Sequence, residues 1–407
     1  MWDSYRKAAM PDIPSSRPHK ATGRDVGTGK VITLIKTQPA QLSLFGEFLP
    51  PEARDSYSNT IELYDAIPKY FSSKKTMAEL RRDGIFLKSL KRRFRHRDQY
   101  YELVIKPARL IDKDGQEKEY YPSHQEEIVE EALKKLACDR LNGVFLNDTA
   151  GVQFTLYELD SELKRQGHAM KWSDLIASLE ICRGAGIEVI GPEGKVEVKS
   201  SIFPVVALVN RAEWEQNPKQ VRCYVQFNPL VTYSINKLAF RQFDYATYMQ
   251  LKNHLARWLF KHLSHHYIQA SWDTPYTIMH STIVGNSYLV NNAQRRDQVR
   301  YVCQAFDELK GKADVIAHYK KQMITGPRKK IEDVKYEILP SLAFINQIKK
   351  ANRRHQEITQ KALELGVLTQ EHLVEQYLKE AKKAEENPSG RPQGTLLKYP
   401  VITRGSK

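Results

Sequence analysis

The chain has 407 residues, 41% apolar and 27% charged, the balance of an ordinary globular protein of two or three domains. A mean hydropathy of −0.55, with no apolar run near the ~18 residues that a membrane span requires, excludes a polytopic membrane protein. There are 63 Lys and Arg against 48 Asp and Glu, a net charge of +15, and an excess of that size points to nucleic acid as partner.

The first twenty residues have no apolar core, so no secretory signal is expected. Cys138, Cys182, Cys223 and Cys303 are too scattered for a zinc module or a disulfide framework, and a reducing cytoplasm is the expected compartment. The charge is sorted along the chain. Residues 1–110 carry 21 basic and 12 acidic residues, 116–220 carry 12 and 18, and 221–354 carry 21 and 9. Solubility alone gives no reason for such sorting. A division of labour does, with one segment holding phosphates and another holding mostly protein.

Taken in chain order, residues 1–84 read as a largely disordered arm. Pro11, Pro14, Pro18, Pro39, Pro50 and Pro51 punctuate a polar stretch without helical period. A first domain is expected over 85–220. It opens on strands around Leu103–Ile105, Leu110–Ile111 and Tyr120–Tyr121, with Asp114-Gly115 as the tight turn. Ser123 with Glu126, and Thr155 with Glu158, are capping-box pairs that start two helices. A third helix is expected over about Lys171–Arg183. Strands Ile187–Ile190 and Lys195–Val198 then flank the turn 191–194, giving helix, helix–turn–helix and two-stranded wing.

A second winged helix is expected over 221–350. It starts from a strand Cys223–Phe227 and one long helix over about Tyr245–Tyr267. A short helix near Thr282–Leu289 and a turn at Val290–Asn292 lead to a helix over about Ala293–Lys310. Strands Val315–Tyr319 and Val334–Leu339 flank a basic turn. Residues 351–407 read as a helical, then disordered, tail. The fold class is therefore α+β, two tandem winged helices with a disordered N-terminal arm and a helical C-terminal tail.

A winged helix reads DNA by laying its second helix in the major groove while the wing touches backbone. The second unit offers Asn292, Gln294, Arg295, Arg296 and Gln298 at the start of that helix, side chains able to pair with base edges. Its wing supplies Lys320, Lys321, Arg328, Lys329 and Lys330 for phosphates. The first unit offers Lys171, Trp172 and Ser173, a weaker reader whose acidic surroundings suit protein as well as DNA. The run Lys91–Arg97 is either a phosphate-gripping arm or an exposed loop. In the N-terminal arm, Gln41-Leu42-Ser43-Leu44-Phe45 has no evident core to join and matches the bacterial sliding-clamp-binding pentapeptide.

Enzyme readings find no support. Gly23–Lys30 has neither the spacing nor the hydroxyl of a phosphate-binding loop. His262 and His266 have zinc-like spacing but no glutamate between them and no third ligand. No catalytic residue, metal site or cofactor is expected.

The pentapeptide at 41–45, the paired winged helices, Phe154–Leu159, Cys223–Phe227 and Arg295–Leu309 resemble the TrfA-type plasmid replication initiators, within the iteron-binding Rep superfamily. The resemblance covers roughly 41–345. It implies binding to direct repeats in double-stranded origin DNA, melting of an adjacent A·T-rich segment, and recruitment of the host helicase, host initiator and sliding clamp. It also implies a dimer–monomer balance. A transcriptional repressor or copy-control protein on the same fold is the alternative.

Overall fold

The fold is that of a computed structural model of the chain, which describes residues 40–47, 55–71, 77, 88–111, 115–138, 142–146, 148–194, 197–208, 222–327 and 331–367. It opens with helix α1 (Ala40–Phe45), strand β1 (Tyr57–Thr60) and helix α2 (Glu62–Ala66). Next come β2 (Leu90–His96), β3 (Gln99–Lys106), β4 (Ala108–Ile111) and β5 (Glu117–Tyr120). The first three-helix unit is α3 (His124–Ala137), α4 (Leu156–Arg165) and α5 (Trp172–Gly184), with β6 (Gly143–Leu146) and β7 (Thr149–Phe154) between α3 and α4. Strands β8 (Gly186–Ile190), β9 (Glu197–Ser201), β10 (Val206–Ala207) and β11 (Cys223–Gln226) follow.

Helix α6 (Pro229–Asn236), β12 (Arg241–Asp244) and α7 (Tyr245–Gln250) lead to the second unit. That unit is α8 (His254–His266), β13 (Tyr276–Met279), α9 (His280–Ser287), α10 (Arg295–Lys310), β14 (Ile316–Thr325) and β15 (Ile331–Pro340), and α11 (Leu342–Glu364) closes the described chain.

Both capping boxes form. The Ser123 N–H donates to the Glu126 carboxylate at 2.8 Å, and Thr155 Oγ1 accepts the Glu158 N–H at 3.0 Å. Gly115 adopts a positive φ of 75° between β4 and β5, as the tight turn requires. The second unit has complete winged-helix topology: three helices and a sheet in the order β13-β15-β14, in which β13 pairs with the returning wing strand (Ile278 opposite Tyr336).

The first unit departs from that plan. β7 does not join the wing. It sits in a sheet of order β10-β11-β7-β6, and the wing strands β8 and β9 are extended by β3 and β2 in the order β2-β3-β8-β9. β11, expected in the second domain, pairs with β7 in the first unit (Val225 opposite Val152). A boundary at 220/221 therefore lies ahead of a strand that belongs to the first unit's sheet. One hydrophobic core runs through both units.

Other expectations need correction. The arm does not remain outside the fold at 40–47 and 55–71. β1 pairs with β12 (Ser58 opposite Phe243), and Ile61 and Tyr64 are fully buried. Met77 is buried as well, and the other arm residues, with the tail beyond 367, lie outside the described residues. The tail expected from 351 starts inside α11, which is continuous from 342 to 364.

The helix expected over Tyr245–Tyr267 breaks at 251–253. Asp244 caps α7 by accepting the Thr247 N–H, and Asn253 caps α8 by accepting the Leu255 N–H. The Lys252 and Asn253 amides, left free at the break, donate to the carboxylate of Glu308 from α10, the latter at 3.0 Å. The break thereby ties the first helix of the second unit to α10.

The core between the units is ionic as well as apolar. Lys261 of α8 contacts Asp65 of α2 at 3.0 Å and Glu131 of α3 at 2.7 Å. Lys134 contacts the same two carboxylates, and Glu127 accepts from His254 at 2.9 Å and Arg257 at 3.4 Å. Asp65, Lys134 and Glu131 have side chains at most 2% exposed. Burial by itself raises the Asp65 carboxyl, but Lys134 and Lys261 outweigh it and hold the group well below its ordinary range.

Candidate nucleic-acid interface

The second reading helix starts one to two residues later than its sequence period suggests. Gln294 is the N-cap and Arg295 the first helical residue, so Asn292 and Gln294 stand on the turn ahead of the helix. Asn292, Gln294 and Arg296 are exposed, and Arg296 has no hydrogen-bond or ionic partner among the described residues. Val299, Val302, Ala305, Phe306 and Leu309 bury the opposite face. Arg300, missed in the sequence, extends the exposed side and among the described residues is paired only with Asp297 on its own helix, at 3.0 Å. Its signal was helical spacing, since it lies four residues after Arg296.

Two of the expected readers are partly engaged. The Gln298 amide donates to the Asn292 carbonyl at 2.7 Å, and its oxygen faces His280 Nε2 at 3.4 Å. Gln298 thus braces the turn rather than projecting from it. Arg295 Nη2 donates to the Glu332 carbonyl of β15 at 3.2 Å, which joins the helix start to the wing.

The wing is held against the reading helix at a second point. The Tyr319 hydroxyl donates to Asp307 at 2.9 Å, with the Tyr319 ring 5.0 Å from that of Phe306. Lys320 and Lys321 are exposed on β14, together with Met323 and Ile324. Arg328, Lys329 and Lys330 lie outside the described residues. Asp333, near the wing tip, is not a free anion. Burial raises its carboxyl, but hydrogen bonds from the Ser281 hydroxyl (2.6 Å) and amide (3.1 Å) and from Val334 prevail, so it stays ionised and fixed to α9.

In the first unit Lys171 and Ser173 are exposed at the start of α5, but Trp172 is half-buried and packs against the core. It anchors the helix and is not a free reader. The run Lys91–Arg97 is neither arm nor loop. Lys91–His96 lie in β2, with Arg92, Phe94 and His96 inward and Lys91, Arg93 and Arg95 outward.

The pentapeptide is the largest departure. Leu42, Leu44 and Phe45 are 6%, 3% and 1% exposed within α1, and Gln41 and Ser43 are half-buried. The Phe45 ring meets Phe240 edge-on at 5.0 Å, and Asn59 donates to the Phe45 carbonyl. The expectation that this peptide has no core to join is corrected. A segment with three apolar side chains in five residues folds onto its own protein when a groove is at hand, here beside α6 and α11.

Among the described residues no group of three His, Cys, Asp or Glu could hold a metal ion. His262 meets the Tyr276 hydroxyl at 2.9 Å, and burial pushes it well below the ordinary imidazole range. Among those residues, too, no helix is long and apolar enough to cross a membrane.

No family model matches the chain, and no curated protein matches it. Solved structures are similar at low identity. Domains 2–3 of RctB match at 10% identity over 64% of this chain and 94% of theirs, with a TM-score of 0.38. A selenomethionine form of the same domains matches at 10% over 67% and 95%, with a TM-score of 0.41. The Pi initiator protein, solved in complex with iteron DNA, matches at 12% over 54% and 91%, with a TM-score of 0.33. At these values none of them fixes what this chain does.

Proposed function

We propose that this chain is a plasmid replication initiator that binds direct repeats in double-stranded origin DNA. The observation that carries the reading is the second unit: exposed Asn292, Gln294 and Arg296 at the start of α10, locked to a ten-residue β-ribbon that bears Lys320 and Lys321. Major-groove contacts from the helix start would supply sequence preference, and the wing would supply phosphate contacts. Binding several protomers to adjacent repeats would offset the unpairing of neighbouring A·T-rich duplex. The helicase, the host initiator and the sliding clamp would then be recruited in the cytoplasm, the clamp through Gln41–Phe45. The clamp step requires α1 to leave its groove, because its anchoring side chains are buried. Control of dimer and monomer forms belongs to the same proposal.

The second reading, a transcriptional repressor or copy-control protein, shares the DNA surface and needs the pentapeptide only as the core-packing helix α1, not to capture a clamp. A plasmid carrying the candidate origin but lacking this gene separates the two. Supplying the chain in trans should restore replication, with protection of repeats spaced about two helical turns apart. Protection of a promoter with no rescue of replication selects the repressor.

A further inference from the structure

We propose that the outward face of β2, at Lys91, Arg93 and Arg95, binds phosphates of the same duplex that the second helix–turn–helix reads. The proposal rests on the DNA-binding reading above. It makes the first unit's wing sheet part of the second unit's DNA surface.

The placement of β2 carries the argument. One edge of β2 pairs with β3, with Arg93 opposite Glu102 and Arg95 opposite Tyr100. The other edge meets the helix–turn–helix of the second unit. The Arg93 N–H donates to the Tyr288 hydroxyl at 2.9 Å, and that hydroxyl lies 3.1 Å from the Arg93 carbonyl, to which it donates. The Arg95 N–H donates to Asn286 Oδ1 at 3.1 Å. Asn286 lies in the last turn of α9, and Tyr288 is its left-handed C-cap, with φ 54°. The turn that leads to the reading helix therefore rests on the basic strand.

Those hydrogen bonds use only the backbone of β2, and among its side chains it is the inward Arg92 that lies over the Tyr288 ring, 5.1 Å from its centroid, which leaves the outward side chains for another task. The Arg93 guanidinium lies 4.4 Å from the centroid of the Tyr100 ring. Stacking of this kind fixes the plane of the guanidinium and leaves its N–H edge open for a phosphate. Among the described residues neither Lys91 nor Arg93 has a carboxylate partner, and Arg95 has only the exposed Asp98, at 2.8 Å. Alternate residues of a strand are about 7 Å apart, near the step between successive phosphates of one DNA strand.

Two structural explanations for the charge are weaker. Edge strands often carry Lys or Arg to block pairing with another chain. Here Asn286 and Tyr288 already occupy that edge. A merely solvated strand would mix both signs, yet all three successive outward positions of β2 are cationic, and Glu102 of β3, which shares that face opposite Arg93, forms no ion pair with it among the described residues.

The test uses the full chain and fluorescence anisotropy, on an origin-repeat duplex and a random duplex of equal length, between 50 and 200 mM salt. Arg93→Gln with Arg95→Gln should weaken binding to both duplexes alike. Two lost phosphate contacts should shrink the drop in affinity across that salt range by about tenfold. Lys91→Gln alone should shrink it by about three- to fourfold. Lys349→Gln with Arg353→Gln, an equal charge loss from exposed positions on α11, should leave the salt dependence near wild type. A wild-type salt dependence in both β2 variants, or the same reduction in the α11 variant, overturns the proposal while the DNA-binding reading stands. A wild-type chain that binds neither duplex overturns both. If DNA binding is unchanged but an acidic protein partner is lost, the face serves protein and the proposal fails.

Discussion

Arg354 Nη2 donates to the Phe45 carbonyl at 3.1 Å, across 309 residues of chain. The same guanidinium reaches Asn59 Oδ1, the Leu44 carbonyl at 3.3 Å and the Glu47 carbonyl. Burial brings its pKa down to about 10, so it remains charged at neutral pH. One cation thus satisfies the carbonyls at the end of α1 and holds the pentapeptide to α11.

If the pentapeptide captures the sliding clamp, Arg354 opposes it. We predict that Arg354→Ala frees α1, because the Glu47 carbonyl loses its guanidinium donor and the Leu44 and Phe45 carbonyls keep only the Glu47 amide and Asn59 among the described residues, at about 1–3 kcal/mol for each strong bond lost. Proteolysis near 40–47 should accelerate and capture of purified clamp should rise about tenfold or more, since the competent form is no longer rare. Gln41→Ala, at a half-buried position outside the apolar contact, should lower clamp capture with little change in melting temperature. Unchanged capture in both variants removes the clamp from the proposed mechanism. Leu44→Ala with Phe45→Ala is a poor test, because emptying two core positions costs about 2–5 kcal/mol each.

Arg296 and Gln298 are two residues apart and should behave differently. We predict that Arg296→Ala costs about 1–3 kcal/mol of repeat binding and relaxes sequence preference, as expected of a guanidinium paired with guanine. Gln298→Ala should instead lower stability by about 1 kcal/mol, through the lost bond to the Asn292 carbonyl, and act on DNA only through the turn. A selection of binding sites from random duplexes distinguishes the two. If Arg296→Ala leaves the selected sequence intact, that arginine touches phosphate only.

Much of this was legible in the sequence, and the parts that were not have physical reasons. Capping boxes at Ser123 and Thr155 are local chemistry, so the helix starts were readable. The apolar period of α10 depends on one helix and was readable too. The break at 251–253 was readable only in part. Asp244 and Asn253 are capping types, but the Glu308 carboxylate that satisfies the break lies 55 residues from Asn253. The strand β2 was obscured because its inward positions are Arg92 and His96 as well as Phe94. Arg92 is buried by donating to the Pro68 and Tyr70 carbonyls, partners that no local pattern shows. Likewise the groove under α1 is built from α6 and α11, far along the chain, so a short apolar peptide looked unpartnered.

Stability should fall between pH 7 and pH 5. His96, His124 and His355 are each lowered to about 4, by burial first, with Arg257 adding to it at His124 and Arg241 at His355. In the unfolded chain each would titrate near 6.5. The folded form stays neutral while the unfolded form takes up protons as the pH drops below 6.5, so stability is present above that value and is lost on the way down to about 4. We predict about 2 kcal/mol lost per histidine by pH 5, read as a lower urea midpoint with unchanged slope. A flat midpoint from pH 7 to pH 5 would show that these imidazoles are protonated in the fold.

The last prediction concerns the ionic contacts between the units. Lys261 comes from the first helix of the second unit, Glu131 from the first helix of the first unit, and Asp65 from the N-terminal segment. Replacing Lys261 alone leaves carboxylates buried beside apolar surface, with Lys134 as the remaining close cation for both. Lys261→Met should therefore destabilise the chain by about 3–5 kcal/mol. Lys261→Met with Glu131→Leu removes the stranded charge as well and should recover a large part of that loss, since a well-packed apolar pair often matches a buried ion pair. Because one core spans both units, calorimetry of the wild type should show a single transition. In Lys261→Met that transition should move down as a whole. Two separated transitions in the variant would mean that the units are held together by these ions and little else, with the apolar core contributing less than its burial implies.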